Sequence, residues 1–331
     1  MMIRSLILST LLLGLSAAGP VSAATTATLN HSPGIAQQDE GADTYAFTIG
    51  SVRVTALSDG TVPQNLHKIL HGITNKEIDE RLVQAYLTNP VEVSINAFLL
   101  ELGEKLVLVD TGVGQLFGSK LGGQLIESLQ AAGVKPEQIT DVLLTHVHSD
   151  HMGGLTRDGQ RVFPNATVHV GKPDVDFFLD PQNAEQTDYD QHYFDQAETI
   201  LEPYVKAGKI DTFDKTTEVL PGLTASLHPG HTPGSAFFTL ESEGQTLTFI
   251  GDIVHVAAVQ LPDPSVTIAY DVDQKKARKV RTAAFADFAK HRNLVAVPHM
   301  PFPGIGHIRK VGEGYEWVPI NYGNRKVTAT E

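Results

Sequence analysis

A layered α/β domain is the fold class this sequence predicts, and three features predict it. Short β-type runs alternate with amphipathic helical stretches. The clusters rich in His and Asp begin just past apolar strands. Neither tandem repeats nor a Gly/Ser- or Pro-rich linker divides the chain. The first strands are Tyr45–Ile49 and Val52–Leu57, then Ile95–Leu100 and Lys105–Val109, which turn through Gly103-Glu104. A helix follows from about Gly123 to Ala132, where Gly133 stops it ahead of Pro136. Asp141–Thr145 and Thr167–Val170 return to strand. The helix over Asp190–Lys206 carries Pro203, which is expected to kink or end it. Leu223–Leu227, Ala236–Leu240, Thr246–Ile250 and Leu294–Val297 complete the strands. Between the last two, Asp273–Lys290 sets Ala277, Val280, Ala284 and Phe288 on one helical face. Its basic run, Lys275, Lys276, Arg278, Lys279 and Arg281, reads as a solvated face.

Composition narrows the chemistry. The 331 residues suit one large domain or two small ones, and 41% hydrophobic with 19% charged residues is ordinary for a globular protein. A net charge of −13 argues against nucleic acid or an anionic membrane surface as a standing partner. The absence of cysteine excludes disulfides, thiolate ligands and a cysteine nucleophile, so a metal must be held by the 14 His and the carboxylates. Residues 1–23 read as a cleaved signal peptide: Arg4 is the positive end, Leu6–Leu15 the apolar core and Val21-Ser22-Ala23 the small-residue cleavage site. Residues 24–43 lack apolar period and are expected to be a flexible lead-in, leaving 44–331 as the folded domain. The expected address is the periplasm or the medium, with no stable membrane insertion after cleavage.

The chemical signal is concentrated. Directly after the apolar DVLLT strand stands His146-Val147-His148-Ser149-Asp150-His151. Three imidazoles and a carboxylate this close compete for the same protons, and a divalent cation relieves that conflict by taking neutral imidazole and ionised carboxylate. The arrangement recurs: LTASL leads to His231, LTFI to Asp252 and LVAV to His299. Seven candidate ligands, His146, His148, Asp150, His151, His231, Asp252 and His299, are too many for one tetrahedral zinc and suit two divalent ions sharing Asp252. Nitrogen and oxygen donors favour zinc, with iron, manganese and cobalt open.

These motifs, HVHSDH, GHTPG, GD and the late PH, resemble the metallo-β-lactamase superfamily. The resemblance implies a four-layer αββα sandwich with the site at one edge. It implies one ion on His146, His148 and His231, the other on Asp150, His151 and His299, and Asp252 bridging. A narrower similarity covers most of the chain. ALSDGTV, KLVLVDTG, FPNA, PYVKAGK, VAAVQ, DPSVT and FPGIGHIR resemble the methyl parathion hydrolase group, which includes triesterases and similar lactone and aryl-ester hydrolases.

That similarity implies aromatic substrate contacts at Phe117, Phe178 and Phe194. His255, Ile268, Tyr270 and Ile69 depart from the triesterase pattern of an aliphatic residue, Thr, Leu and Arg, and resemble the lactone and aryl-ester branch. Asp110, with Thr111, and Asp59 are expected to orient metal-bound imidazoles. His307 and His228 are assigned to support or to the surface, while His31, His67, His71, His169, His192 and His291 show no constellation. The 60–93 segment is expected to cap the site and, in a homodimer, to join the contact. The expected reaction is attack of a metal-bridging hydroxide on a small-molecule lactone or aryl ester, with Asp150 moving a proton. Phosphotriester and β-lactam hydrolysis are the competing readings on the same metals; nuclease activity is disfavoured by charge.

Overall fold

The computed structural model describes residues 43–323. The expected signal (1–23) lies outside the described residues, as does the 24–43 lead-in apart from Asp43. Seven strands form the first sheet and lie in chain order: β1 (Thr44–Ile49), β2 (Val52–Gln64), β3 (Val91–Leu102), β4 (Lys105–Val109), β5 (Asp141–Leu143), β6 (Thr167–Gly171) and β7 (Ile210–Phe213). β1 to β4 pair antiparallel, and β4 to β7 parallel. The second sheet also follows chain order: β8 (Thr217–Leu220), β9 (Leu223–Leu227), β10 (Ala236–Ser242), β11 (Gln245–Phe249), β12 (Val295–Ala296), β13 (Ile305–Val311) and β14 (Gly314–Pro319). Within it only β11 and β12 pair parallel, with helix Gln274–His291 running between them in sequence.

Strand alternation builds the layers. Successive side chains point to opposite faces, so a strand apolar at every position is buried on both. Phe98 and Leu100 of β3, Val107 and Val109 of β4, and Leu143 of β5 meet Phe238, Leu240, Leu247 and Phe249 between the sheets. Their neighbours Ala97, Leu99, Leu108 and Val142 face the other way, onto Leu129, Leu201 and Tyr204 of helices Leu125–Ala131 and Gln191–Lys206. Behind the second sheet, Phe285 and Phe288 of helix Gln274–His291 cover Phe237, Val295 and Val297. Helix, sheet, sheet, helix is the expected four-layer order. Among the described residues no helix is long and apolar enough to cross a membrane.

Three local expectations need correction. Helix Gln191–Lys206 continues three residues past Pro203, which sits in its last turn and removes only the one bond its N–H would have made to the Thr199 carbonyl. The expected Val52–Leu57 and Ile95–Leu100 are segments of the much longer β2 and β3, whose pairing continues to Gln64↔Val91. Helix Gln274–His291 buries Ala277, Arg281, Ala284, Phe285 and Phe288, while Val280 is only half-buried. Arg281 is therefore not on a solvated face. It is fully buried, donates to the carbonyls of Ile253 and Val266, and stands 3.6 Å from Asp271. Lys275, Lys276, Arg278 and Lys279 are exposed as expected.

The architecture delivers the loops that matter to one edge. Asp110, the His146–His151 segment, Asp252 and His299 follow the C-terminal ends of β4, β5, β11 and β12, and His231 follows β9. Backbone bonds lock the edge across elements: Ala236 N–H to the Thr145 carbonyl at 2.8 Å, and Asn96 N–H to the Pro298 carbonyl at 2.9 Å. The 60–93 segment closes over it, with Leu66, Ile78, Leu82 and Val93 sharing an apolar cluster with Val256, Val266 and Ile268.

Candidate metal centre

Asp252 is the hub. Its Oδ2 lies 3.0 Å from His299 Nε2, 3.3 Å from His151 Nε2, 3.4 Å from His231 Nε2 and 3.7 Å from His146 Nε2. Asp150 reaches the same space, 3.4 Å from His299 and 3.7 Å from His151. His148 presents Nδ1 at 3.0 Å from His231 Nε2. Three donor groups form: His146/His148/His231, Asp150/His151/Asp252/His299 and, sharing a member with each, His231/Asp252/His255.

The outer nitrogens decide what the inner ones can do. The Ser94 carbonyl, 2.9 Å from His299 Nδ1, can only accept, so that nitrogen carries the proton. Asp110 at 2.8 Å does the same for His151 Nδ1, and Asp271 at 2.9 Å for His231 Nδ1. Tyr189 gives its own proton to the Tyr270 carbonyl, so it accepts from His148 Nε2 at 2.8 Å. Thr145 gives its hydroxyl proton to Asp110 and accepts from His146 Nδ1 at 3.1 Å. Once neutral, as metal binding requires, all five imidazoles are thereby held in tautomers that aim a lone pair inward, around a buried carboxylate. The Nε2 atoms of His146 and His151 and Oδ1 of Asp252 are buried without a hydrogen-bond partner. Five converging lone pairs and two carboxylates fit divalent cations and little else.

Electrostatics divide the imidazoles. Burial alone would push His151, His231 and His299 down, but the facing carboxylates, Asp252 foremost, draw all three up, His231 to about 9, so a cation binding there displaces protons. Burial alone would push the Asp252 pKa up, but the surrounding imidazoles hold it well below the carboxylate range. Burial pushes His146 and His148 well down, keeping their lone pairs free.

Asp110 shows how the backbone serves this. It ends β4 in the left-handed region (φ 58°), a conformation costing on the order of 1 kcal/mol outside glycine. In return its carboxylate takes the Thr145 N–H and hydroxyl and His151 Nδ1, each at 2.8 Å. Asp110→Asn replaces one acceptor oxygen by an NH₂ among donors. Metal affinity is expected to fall about 10–100-fold with the fold retained; chelator competition monitored beside circular dichroism measures both, and unchanged affinity would remove Asp110 from the centre.

Other candidates separate by position. Ile69, Phe117, His255, Ile268 and Tyr270 line a cavity of about 110 Å³ that opens onto His148, Asp150, Asp252 and His299. Phe178 and Phe194 do not line it. Both are buried in the helical layer, and Phe178 packs edge-on behind His148 at 5.9 Å. Tyr193 and His192 supply the aromatic wall instead, which corrects the reading of His192 as background. Asp59 touches no imidazole. Its carboxylate accepts the N–H groups of Val113, Gly123 and Leu125, with burial raising its pKa to about 6. A Cβ on Gly112 would stand 2.3 Å from that carboxylate, which is why glycine ends the VDTG motif. His307 is likewise no partner of the centre, bonding the Asn293 carbonyl at 2.9 Å. His228 stacks on Phe237 at 3.7 Å, away from the ligands.

Sequence reasoning missed three supports. Asp271 and Tyr189 lie 40 and 41 residues from the imidazoles they hold, with no local motif to mark them. Asp174, fully buried, takes the Val147 N–H, the Thr232 hydroxyl and the Gly234 N–H, clamping the first ligand loop to the His231 loop.

A family model for the metallo-beta-lactamase superfamily matches residues 90–299, the stretch that carries every ligand. The chain belongs to this superfamily. The structure of AbOPH, described as a hydrolase of the β-lactamase superfamily, is 37% identical, covers 86% of this chain and all of its own, and superposes with a TM-score of 0.82. AidC, described as a dizinc quorum-quenching lactonase in complex with a product, is 26% identical over 86% of this chain and all of its own, with a TM-score of 0.78. An N-acyl homoserine lactonase of Bacillus cereus is 27% identical over 193 residues, 52% of this chain and 69% of its own length. The chain spans 38–69% of the length of this lactonase and seven other curated relatives that it matches.

Proposed function

We propose that this metallo-β-lactamase superfamily member is a hydrolase of lactones and aryl carboxylic esters that works with two divalent ions, most simply zinc. One observation carries the reading. The cavity over the ligands is small, about 110 Å³, walled by Ile69, Val93, Phe117 and Ile268 and by the rings of Tyr193 and Tyr270, and ligand atoms form its floor. A planar ester enters such a slot more easily than a phosphorus centre with three substituents. Two divalent ions held by the seven residues would supply Lewis acidity at the carbonyl and acidify water. The chain's own groups do the rest. The five imidazoles, Asp150 and Asp252 would hold the ions. Asp150 is the ligand carboxylate open to the cavity, 21% exposed against 3% for Asp252, so it can take the proton of the attacking water and return it to the leaving oxygen. The apolar walls exclude bulk water and strengthen these interactions. What is described for AidC and for the Bacillus cereus relative supports the lactone reading.

The test compares kcat/KM on an aryl lactone and on an aryl dialkyl phosphorothioate, with a chelator control. A large lactone preference abolished by chelation is expected; a triester preference would make this an organophosphate hydrolase, and chelator-insensitive turnover would end the metal reading. Widening the slot should move the same ratio. Tyr270 is braced by its hydroxyl on Gln64 at 2.8 Å, so Ile268→Thr with Tyr270→Leu removes wall and brace together. The triester-to-lactone ratio is expected to rise about tenfold. A ratio that does not move would mean that these walls do not select substrate.

A further inference from the structure

His255 stands apart from the five ligand imidazoles. Its ring is buried at 6% exposure, yet its outer nitrogen Nδ1 has no hydrogen-bond partner. Nε2 lies 3.0 Å from Asp252 Oδ2, as near as any ligand nitrogen. The ring stacks on His299 with centroids 5.0 Å apart and planes 16° from parallel, and it lies 5.2 Å from the His231 ring. His231, Asp252 and His255 present donor atoms that all lie within 4.8 Å of one another. The backbone is fixed, because Gln260 Oε1 accepts the His255 N–H at 2.8 Å, so the ring is held at the centre while its orientation about χ2 is not. A buried imidazole nitrogen left without a partner is costly, and nothing on the outer side of this ring fixes which nitrogen faces Asp252.

We propose that His255 is an eighth, displaceable donor to the metal centre, binding an ion it shares with His231 and Asp252. The five other imidazoles are each locked by an outer acceptor; His255 has none, so it can enter and leave the coordination sphere by turning its ring. Its ring lines the cavity, so a ligand arriving there would compete with it for the ion. This rests on the reading of the cluster as a two-ion centre and not on the lactone assignment.

The experiment is cadmium substitution of the full chain, followed by ¹¹³Cd NMR and chelator competition on wild type, His255→Leu and His255→Gln. Wild type selectively labelled with ¹⁵N-histidine is examined in parallel. The expected result is two cadmium resonances, coupling of one of them to the His255 nitrogen, and an upfield move of that resonance alone in His255→Leu. One ion should then bind about tenfold or more weakly. The labelled wild type needs no variant to fold, and His255→Gln preserves polarity should the leucine variant not accumulate. Two resonances with no coupling to His255 and no shift in either variant overturn the proposal, even if affinity or turnover changes. Fewer than two cadmium ions in wild type overturn both the proposal and the two-ion centre. Absence of lactone turnover with the expected cadmium result removes the substrate reading and leaves His255 as a donor.

Discussion

Asp252→Asn is expected to abolish tight binding of both ions and to lower kcat/KM by on the order of 10³-fold or more, about 4 kcal/mol of transition-state stabilisation. The size follows from position. One carboxylate oxygen lies 3.0–3.7 Å from the inner nitrogens of His146, His151, His231 and His299, so a single substitution touches all three donor groups. Asn has nearly the volume of Asp, which separates loss of charge from loss of packing. The folded chain should persist while metal analysis after dialysis reports well under two ions. Retention of two ions with full turnover would exclude the hub role.

Arg281→Leu is expected to destabilise the chain by about 3–5 kcal/mol, read from denaturant midpoints. Arg281 is a buried cation in helix Gln274–His291 that donates to carbonyls of the loop following Asp252 and faces Asp271 at 3.6 Å. Removing it takes a donor from the Ile253 carbonyl, leaves the Val266 carbonyl only its bond from Gln260 Nε2, and leaves Asp271 without its counter-charge. Asp271 in turn holds His231 Nδ1, so the loss should reach the metal centre as weaker binding of the ion on His231. Arg281→Lys keeps the charge but not the forked donors and should recover only part of the stability. Arg278→Leu, one turn away on the exposed side, is the control and should change stability by less than about 0.5 kcal/mol. Equal effects at 278 and 281 would mean that the buried fork is not a structural tie.

The basic run containing both residues shows where legibility ends. Lys275 to Arg281 differ little in charge pattern, and only a rotation of the helix by a fraction of a turn puts Arg281 inside. Sequence period locates a face to within about one residue, because i+3 and i+4 neighbours serve equally well. The aromatic residues show the same limit: Phe178 and Phe194 have the composition of a substrate wall but lie in the helical layer, whereas Tyr193, next in the chain to one of them, lines the cavity.

The seven candidate ligands, a layered α/β domain and the role of Asp110 were legible in the sequence, and the two-sheet sandwich followed from the family resemblance of the ligand motifs. Those features are written locally: ligand types at fixed spacing past apolar strand ends, and strands apolar on every residue because both faces are covered. Tertiary structure alone decided that Asp271, Tyr189 and Thr145 fix imidazole tautomers, that Asp174 clamps two loops, that Asp59 and His307 serve elsewhere, and that His255 reaches Asp252. Each of these depends on which distant loops the sandwich brings to the same edge. A hydrogen-bond partner some 40 residues away leaves no periodic or compositional trace in the chain that carries it.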